Sequence, residues 1–230
     1  MESVSVIIPA FNEENTIQRI CLAVSDVLED EGIPFEIIVV DDGSTDDTAA
    51  RAEKGIGDKG CVIRHGLNRG SGMALRSGLE IAKNDLAIFV PADFQFAPKE
   101  IPAFQKAATD ADIVIGCRKH KKTYGPVRKL QSFLYLGLVN LLFCQRFQDV
   151  NWVQMWRVET AGQIKLQSSG VFMQLEMLDR ARRQNLRIVE IPSEFHRRTE
   201  GLAKGSGVGT ILRTIIEMIV YRFSHRGDLH

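Results

Sequence analysis

Long apolar runs are missing from this chain. The longest, Phe133 to Cys144, is interrupted at Asn140 and falls short of the roughly 20 apolar residues needed to span a bilayer, so no transmembrane helix is expected. Cysteine is scarce: Cys21, Cys61, Cys117 and Cys144 are scattered and form no CxxC pair. That pattern argues against a disulfide framework and predicts buried free thiols in a reducing cytosol. The opening MESVSVIIPA has no basic stretch leading into an apolar one, so no secretory leader is expected. Net charge is also absent, with 29 Lys+Arg balancing 29 Asp+Glu over 230 residues. A general nucleic-acid binder would carry a basic excess, so no nucleic-acid partner is expected.

The neutral average hides a division. Residues 1–117 carry 10 Lys+Arg against 20 Asp+Glu, whereas residues 118–230 carry 19 against 9. Such polarity points to a charged ligand or surface that the basic half must meet. The length fits one domain over 1–230, with no linker and no internal repeat.

Short β-branched runs alternate with helical patterns through the first half. Strands are predicted at Val4–Ile8, Glu36–Val40, Cys61–Ile63, Leu86–Val90 and Asp112–Ile115. Helices are predicted after Asn12, whose side chain can cap the first, and over about Thr45–Lys54, Gly70–Lys83 and Lys99–Ala108. This alternation means an α/β fold with a mostly parallel central sheet flanked by helices. Ligands in such sheets bind at the carboxyl ends of strands, so Pro9–Glu13, Asp41–Asp47 and Pro91–Gln95 should converge on one crevice. In the second half, apolar and amphipathic helices are predicted over 129–144 and 208–223. A further helix is expected at Phe172–Gln184, a strand at Arg187–Ile191 and a mobile polar loop at Arg197–Gly209.

The strongest local signal is Val39-Val40-Asp41-Asp42-Gly43-Ser44-Thr45-Asp46-Asp47. A buried strand delivers Asp41 and Asp42, whose oxygens can accept hydrogen bonds from a nucleobase or from sugar hydroxyls. Asp46 and Asp47 read as a capped acidic turn, with Ser44 or Thr45 able to cap the next helix. Taken with Pro9-Ala10-Phe11-Asn12-Glu13-Glu14, the segment Asn68-Arg69-Gly70-Ser71-Gly72 and the later Glu190-Ile191-Pro192-Ser193-Glu194-Phe195-His196-Arg197-Arg198, the sequence resembles the family-2 inverting glycosyltransferases of GT-A (Rossmann-like) fold. Within that family it looks like the dolichyl/polyprenyl-phosphate sugar synthase branch.

The resemblance implies that a nucleotide-sugar base and ribose sit against Pro9, Phe11, Glu13, Asp41 and Asp42. It also implies an Asp-x-Asp that binds a divalent cation, Mg²⁺ or Mn²⁺. Here that stretch is Pro91-Ala92-Asp93-Phe94-Gln95, which leaves Asp93 and Gln95 as metal ligands and Ala92 beside the donor. With Pro91 in place of the first Asp, metal dependence stays open. Fixed cations would then carry more of the leaving diphosphate's charge. Arg118 (in Gly116-Cys117-Arg118), Arg128, His196, Arg197, Arg198 and Lys204 match the family's basic positions, and Arg suits phosphate because its fork donates two hydrogen bonds at once. Lys119, Lys121 and Lys122 read as a solvated surface or as neighbours of anionic head groups.

A lipid-phosphate acceptor is already ionised and needs no general base. An alcohol acceptor would need one, and Glu176 is the candidate, with a plain helix-face glutamate as the alternative. Asp149-Val150-Asn151-Trp152-Val153-Gln154-Met155-Trp156-Arg157 departs from the family pattern. Its two Trp residues could stack on a sugar, meet lipid or fill the core.

The expected function is transfer of a sugar from a nucleoside diphosphate to a polyprenyl phosphate. Residues 1–117 would bind the donor and 118–230 the acceptor, at the cytoplasmic face of a membrane. The helices over 129–144 and 208–223 would serve either as interfacial contacts or as a homo-oligomer surface. Alternatives are a non-lipid hydroxyl acceptor or a catalytically degenerate nucleotide-sugar-binding subunit.

Overall fold

Seven β-strands form one sheet in the order β3-β2-β1-β4-β6-β5-β7. The computed structural model describes residues 1–118, 126–143, 146–168, 170, 172–197 and 208–224, with backbone alone at 126–131 and 208–213. The strands are β1 (Val4–Ala10), β2 (Phe35–Asp41), β3 (Gly60–Arg64), β4 (Leu86–Phe89), β5 (Ile113–Arg118), β6 (Gln154–Arg157) and β7 (Ile188–Ser193). All neighbours pair in parallel except β6, which runs antiparallel between β4 and β5. The helices are α1 (Ile17–Asp30), α2 (Thr48–Ile56), α3 (Ser71–Ile81), α4 (Ile101–Ala108), α5 (Pro126–Phe143), α6 (Val158–Gln163), α7 (Met173–Arg183) and α8 (Val208–Ser224).

The central strands are apolar on both faces because helices cover both faces. On one side Val6, Ile8, Ile37 and Val39 pack with Ile20, Val24 and Leu28 of α1 and Phe104 of α4. On the other, Ile7, Ile38 and Val40 pack with Ala74 and Leu75 of α3, Met173 and Met177 of α7, and Met218 of α8. Helix α3 can approach β1 closely because position 78 is glycine: a Cβ there would lie 2.4 Å from Ile7 Cγ2.

Several expectations need correction. Asn12 does not cap α1, which starts at Ile17 after Thr16 and has no side-chain cap. Neither Ser44 nor Thr45 caps α2, which starts three residues later, at Thr48. These polar side chains are engaged with one another across two loops instead. Cys21 is buried, but Cys61 is exposed on the edge strand β3 and Cys117 is half-buried; Cys144 lies outside the described residues. The segment around 154–157, for which no strand is predicted from the sequence, is strand β6. Its Met155 and Trp156 are fully buried, so at least Trp156 is a core residue.

Two glycine substitutions should move stability in opposite directions. Gly78→Ala forces a methyl into a buried branched side chain and should lower unfolding free energy by about 1–3 kcal/mol. Gly137→Ala, in α5, meets no atom within 4 Å and should raise it by up to about 1 kcal/mol through helix propensity. Urea denaturation of both variants checks the pair.

Candidate active site

The loops after β1 and β2 are latched together by reciprocal hydrogen bonds. The Asn12 amide donates to Ser44 Oγ at 2.8 Å, the Thr45 amide to Asn12 Oδ1 at 2.8 Å, and the Glu13 amide to Thr48 Oγ1 at 2.8 Å. Asn12 adopts φ 51° to do so, a left-handed conformation that Asn tolerates better than most residues. Gly43, at φ 77°, lies so close to Leu67 that a Cβ would fall 2.6 Å from its carbonyl carbon. The β2 loop is thereby pressed against the loop that follows β3.

Asp42 organises the second loop. Its Oδ1 accepts the Arg69 amide at 2.9 Å and sits 2.7 Å from His65 Nδ1, while Oδ2 accepts the Gly70 amide at 2.7 Å. A carboxylate only accepts, so Nδ1 carries a proton, and Nε2 lies within hydrogen-bond distance of Ser77 Oγ, at 3.0 Å. The side chains of Asp42 and His65 are each only 5% exposed. Asp41 is also buried, and its Oδ1 accepts the Ser44 amide at 3.1 Å. His65 and Ser77 were not anticipated from the sequence. The available signal was a lone histidine placed directly after a strand, at the same sheet end as the two carboxylates.

The β4 loop completes this side. Ala92 and Asp93 are buried, and Asp93 Oδ1 accepts the Gln95 amide at 3.1 Å. Phe94 between them has φ 57°, a costly conformation for a bulky residue that marks a constrained turn. The Arg19 guanidinium lies over its ring at 5.3 Å. Among the described residues, no group of three or more His, Cys, Asp or Glu side chains comes together. The described residues alone therefore build no metal cage. A hard cation fits Asp93 and Gln95 only where ligand oxygens, such as those of a diphosphate, fill most of its shell.

The basic half meets this crevice through β5 and β7. The His196 amide donates to the Gln95 carbonyl at 2.9 Å, joining the segment after β7 to the β4 loop. Arg118 forms a two-pronged pair with Asp149, at 2.6 and 2.7 Å. Its guanidinium lies 5.2 Å from the Trp152 ring and 6.0 Å from that of Phe195. Trp152 in turn donates its Nε1–H to Ser193 Oγ at 2.9 Å. Burial raises the pKa of Glu100 below this cluster, partly opposed by hydrogen bonds from Ser193 and the Glu194 amide. Pro9, Phe11 and Glu13 line the β1 side half-buried, while His196 and Arg197 are exposed. The side chain of Arg128, and Lys119, Lys121, Lys122, Arg198 and Lys204 entirely, lie outside the described residues.

Glu176 does not stand ready as a base. It is fully buried; its oxygens accept the amides of Gln167 and Ser168, the Ser168 hydroxyl and Arg180 Nε. Its donors come from the segment before α7 and from α7 itself, so it is a structural anchor. That corrects both readings made from the sequence, since it does not lie on an open helix face either.

The Arg118–Asp149 pair is largely buried, with side chains 15% and 5% exposed. Removing one partner should therefore leave an uncompensated charge. Asp149→Ala should lower unfolding free energy by about 3–5 kcal/mol, and the double variant Arg118→Met/Asp149→Leu should recover at least half of that loss. Urea denaturation of the single and double variants measures both.

Comparison with known proteins agrees with this arrangement. The family model described as "Glycosyl transferase family 2" matches residues 5–167. The chain is 26% identical to a dodecaprenyl-phosphate galacturonate synthase of Rhizobium johnstonii, over 96% of this chain and 67% of that protein. It is 30% identical to a dolichol-phosphate mannosyltransferase of Pyrococcus furiosus, over 95% and 63%. It is also 35% identical to an undecaprenyl-phosphate 4-deoxy-4-formamido-L-arabinose transferase of Serratia proteamaculans, over 57% and 41%. The chain thus spans about two thirds or less of the length of these relatives. In fold it resembles glucosyl-3-phosphoglycerate synthase of Mycobacterium tuberculosis, solved with Mn²⁺, UDP-glucose and phosphoglyceric acid. The TM-score is 0.75 at 22% identity, over 97% of this chain and 80% of that one. With the family model covering most of its length and a GT-A fold beneath it, the chain belongs to glycosyl transferase family 2.

Proposed function

We propose that the chain transfers a sugar, with inversion, from a nucleoside diphosphate sugar to a polyprenyl phosphate. The observation that carries this reading is similarity along almost the whole chain to enzymes named for polyprenyl- and dolichol-phosphate acceptors. The site chemistry supports it. The base and ribose would lie against Pro9, Phe11, Glu13, Asp41 and Asp42, with the diphosphate beside Ala92, Asp93 and Gln95. Arg197 is exposed on the basic side of the same crevice and would offset charge growing on the leaving diphosphate. A divalent cation, Mg²⁺ or Mn²⁺, shared between Asp93 and the diphosphate would supply further stabilisation of that charge. Arg118 is held in place by its two-pronged pair with Asp149.

The lipid phosphate is its own nucleophile. This suits a site whose candidate base, Glu176, is consumed by structural hydrogen bonds, and it weighs against a hydroxyl acceptor. The division of donor and acceptor between 1–117 and 118–230 remains part of the same proposal.

Peripheral contact with a membrane, at its cytoplasmic face, is part of the same proposal, and the support for membrane contact is the surface of α5 and α8, which pack on each other. No described helix is long and apolar enough to cross a bilayer. Helix α8 turns Thr214, Met218 and Tyr221 inward, yet leaves Ile216, Ile219, Val220 and Phe223 exposed; α5 exposes Phe133, Leu134 and Leu141. A helix that buries threonine and tyrosine while exposing isoleucine and phenylalanine has its apolar stripe turned outward, as an interfacial helix does.

Mass spectrometry of reactions containing a nucleotide sugar, a divalent cation and either a short polyprenyl phosphate or the matching polyprenol tests the reaction. Glycosylated polyprenyl phosphate should form and the polyprenol should remain unchanged; transfer to the alcohol alone would contradict the proposal. Asp93→Asn should cut turnover at least about a hundredfold. In a flotation assay, the protein should rise with anionic vesicles, and Ile216→Glu/Phe223→Glu should reduce that association at least about tenfold.

A further inference from the structure

We propose that His65 sets the nucleobase preference of the donor site by favouring uracil over guanine. This rests on the proposed donor site, in which Asp42 faces the base. A carboxylate offers about four lone-pair positions. In Asp42, Oδ1 is filled by the Arg69 amide at 2.9 Å and by His65 Nδ1–H at 2.7 Å, whereas Oδ2 receives only the Gly70 amide at 2.7 Å. One acceptor position remains, and it lies on Oδ2.

Guanine presents two parallel N–H donors, N1–H and N2–H, which pair with the two oxygens of one carboxylate. Uracil presents a single imide N–H. With Oδ1 saturated, Asp42 can satisfy uracil in full but leaves one guanine donor desolvated and unpaired, and that penalty generates discrimination. Asp41 cannot supply the missing oxygen. Successive residues of an extended strand point to opposite faces, as the preceding residues show, with Val39 packing in one core layer and Val40 in the other.

His65 is the adjustable part of this arrangement. The Arg69 and Gly70 amides are backbone and present whatever the side chains. The donor on Oδ1 that competes with a second base donor comes from the imidazole. Ser77 holds the ring in this orientation through a hydrogen bond with Nε2 at 3.0 Å from α3. Asp42 thus contacts the base, whereas His65 and Ser77 act through it as positioning residues.

Calorimetric titration with UDP, GDP, ADP and CDP in the presence of Mg²⁺ tests the inference. The native protein should bind UDP at least about tenfold more tightly than GDP. His65→Phe keeps the ring volume and removes the donor. It should narrow the UDP-to-GDP ratio to within about threefold, mainly by tightening GDP. His65→Gln, which keeps an N–H, should stay within about threefold of the native ratio. A merely structural histidine would weaken all four nucleotides together and leave the ratio unmoved, and that result would overturn the proposal. GDP binding as tightly as UDP to the native protein would overturn it without any variant. Failure to bind any of the four would instead overturn the donor-site reading, and this inference with it.

Discussion

A carboxylate taken out of water must be given donors, and at Asp42 that requirement ties together the loops of the proposed donor site. Burying it without partners would cost several kcal/mol. The structure supplies two backbone amides, of Arg69 and Gly70, and an imidazole that is itself held by Ser77. The contacts fasten the loop after β3 to the end of β2 and fix where α3 begins. The floor of the proposed donor crevice, the close approach of Gly43 to Leu67 and the packing of α3 over Ile7 all follow from that one attachment.

A second buried charge performs the matching task on the basic side. Arg118 ends β5, holds Asp149 with two hydrogen bonds and lies against Trp152 and Phe195. It ties the segment before β6 to the segment after β7, and the latter reaches back to Gln95. The acidic and basic halves of the chain therefore meet across a crevice whose two walls are each organised by a paired, largely desolvated charge. Pairs of this kind add little net stability, but they define geometry, because any rearrangement would strand a charge.

The alternation of β-branched runs and helices was legible because strands covered on both faces read as continuous apolar segments, such as Ile37–Val40. Strand positions came out within a few residues, and the crevice followed from the strand ends. The caps were misread for a physical reason. Asn12, Ser44 and Thr48 have the chemistry of helix caps, but the two loops lie close enough to use those groups on each other. Strand β6 escaped notice because it is short and buried at Gln154, Met155 and Trp156, with Gln154 satisfied internally by the Val150 carbonyl and Trp156. Glu176 could not be told from a reactive glutamate by sequence, since half of its donors are backbone amides of the segment before α7. His65 was invisible for a similar reason: its importance comes from Asp42, 23 residues earlier, and no local pattern records that contact.

Amide hydrogen exchange at Arg69 and Gly70, followed by NMR in the native protein and in Asp42→Asn, bears most directly on the account. Both amides sit in a loop outside any helix or strand, so protection there must come from the carboxylate. The account predicts slow exchange at both positions in the native protein. It also predicts selective loss of that protection in the variant, while the amides of β1 and β2 stay protected. Exchange at the free-peptide rate at Arg69 and Gly70 in the native protein would contradict it.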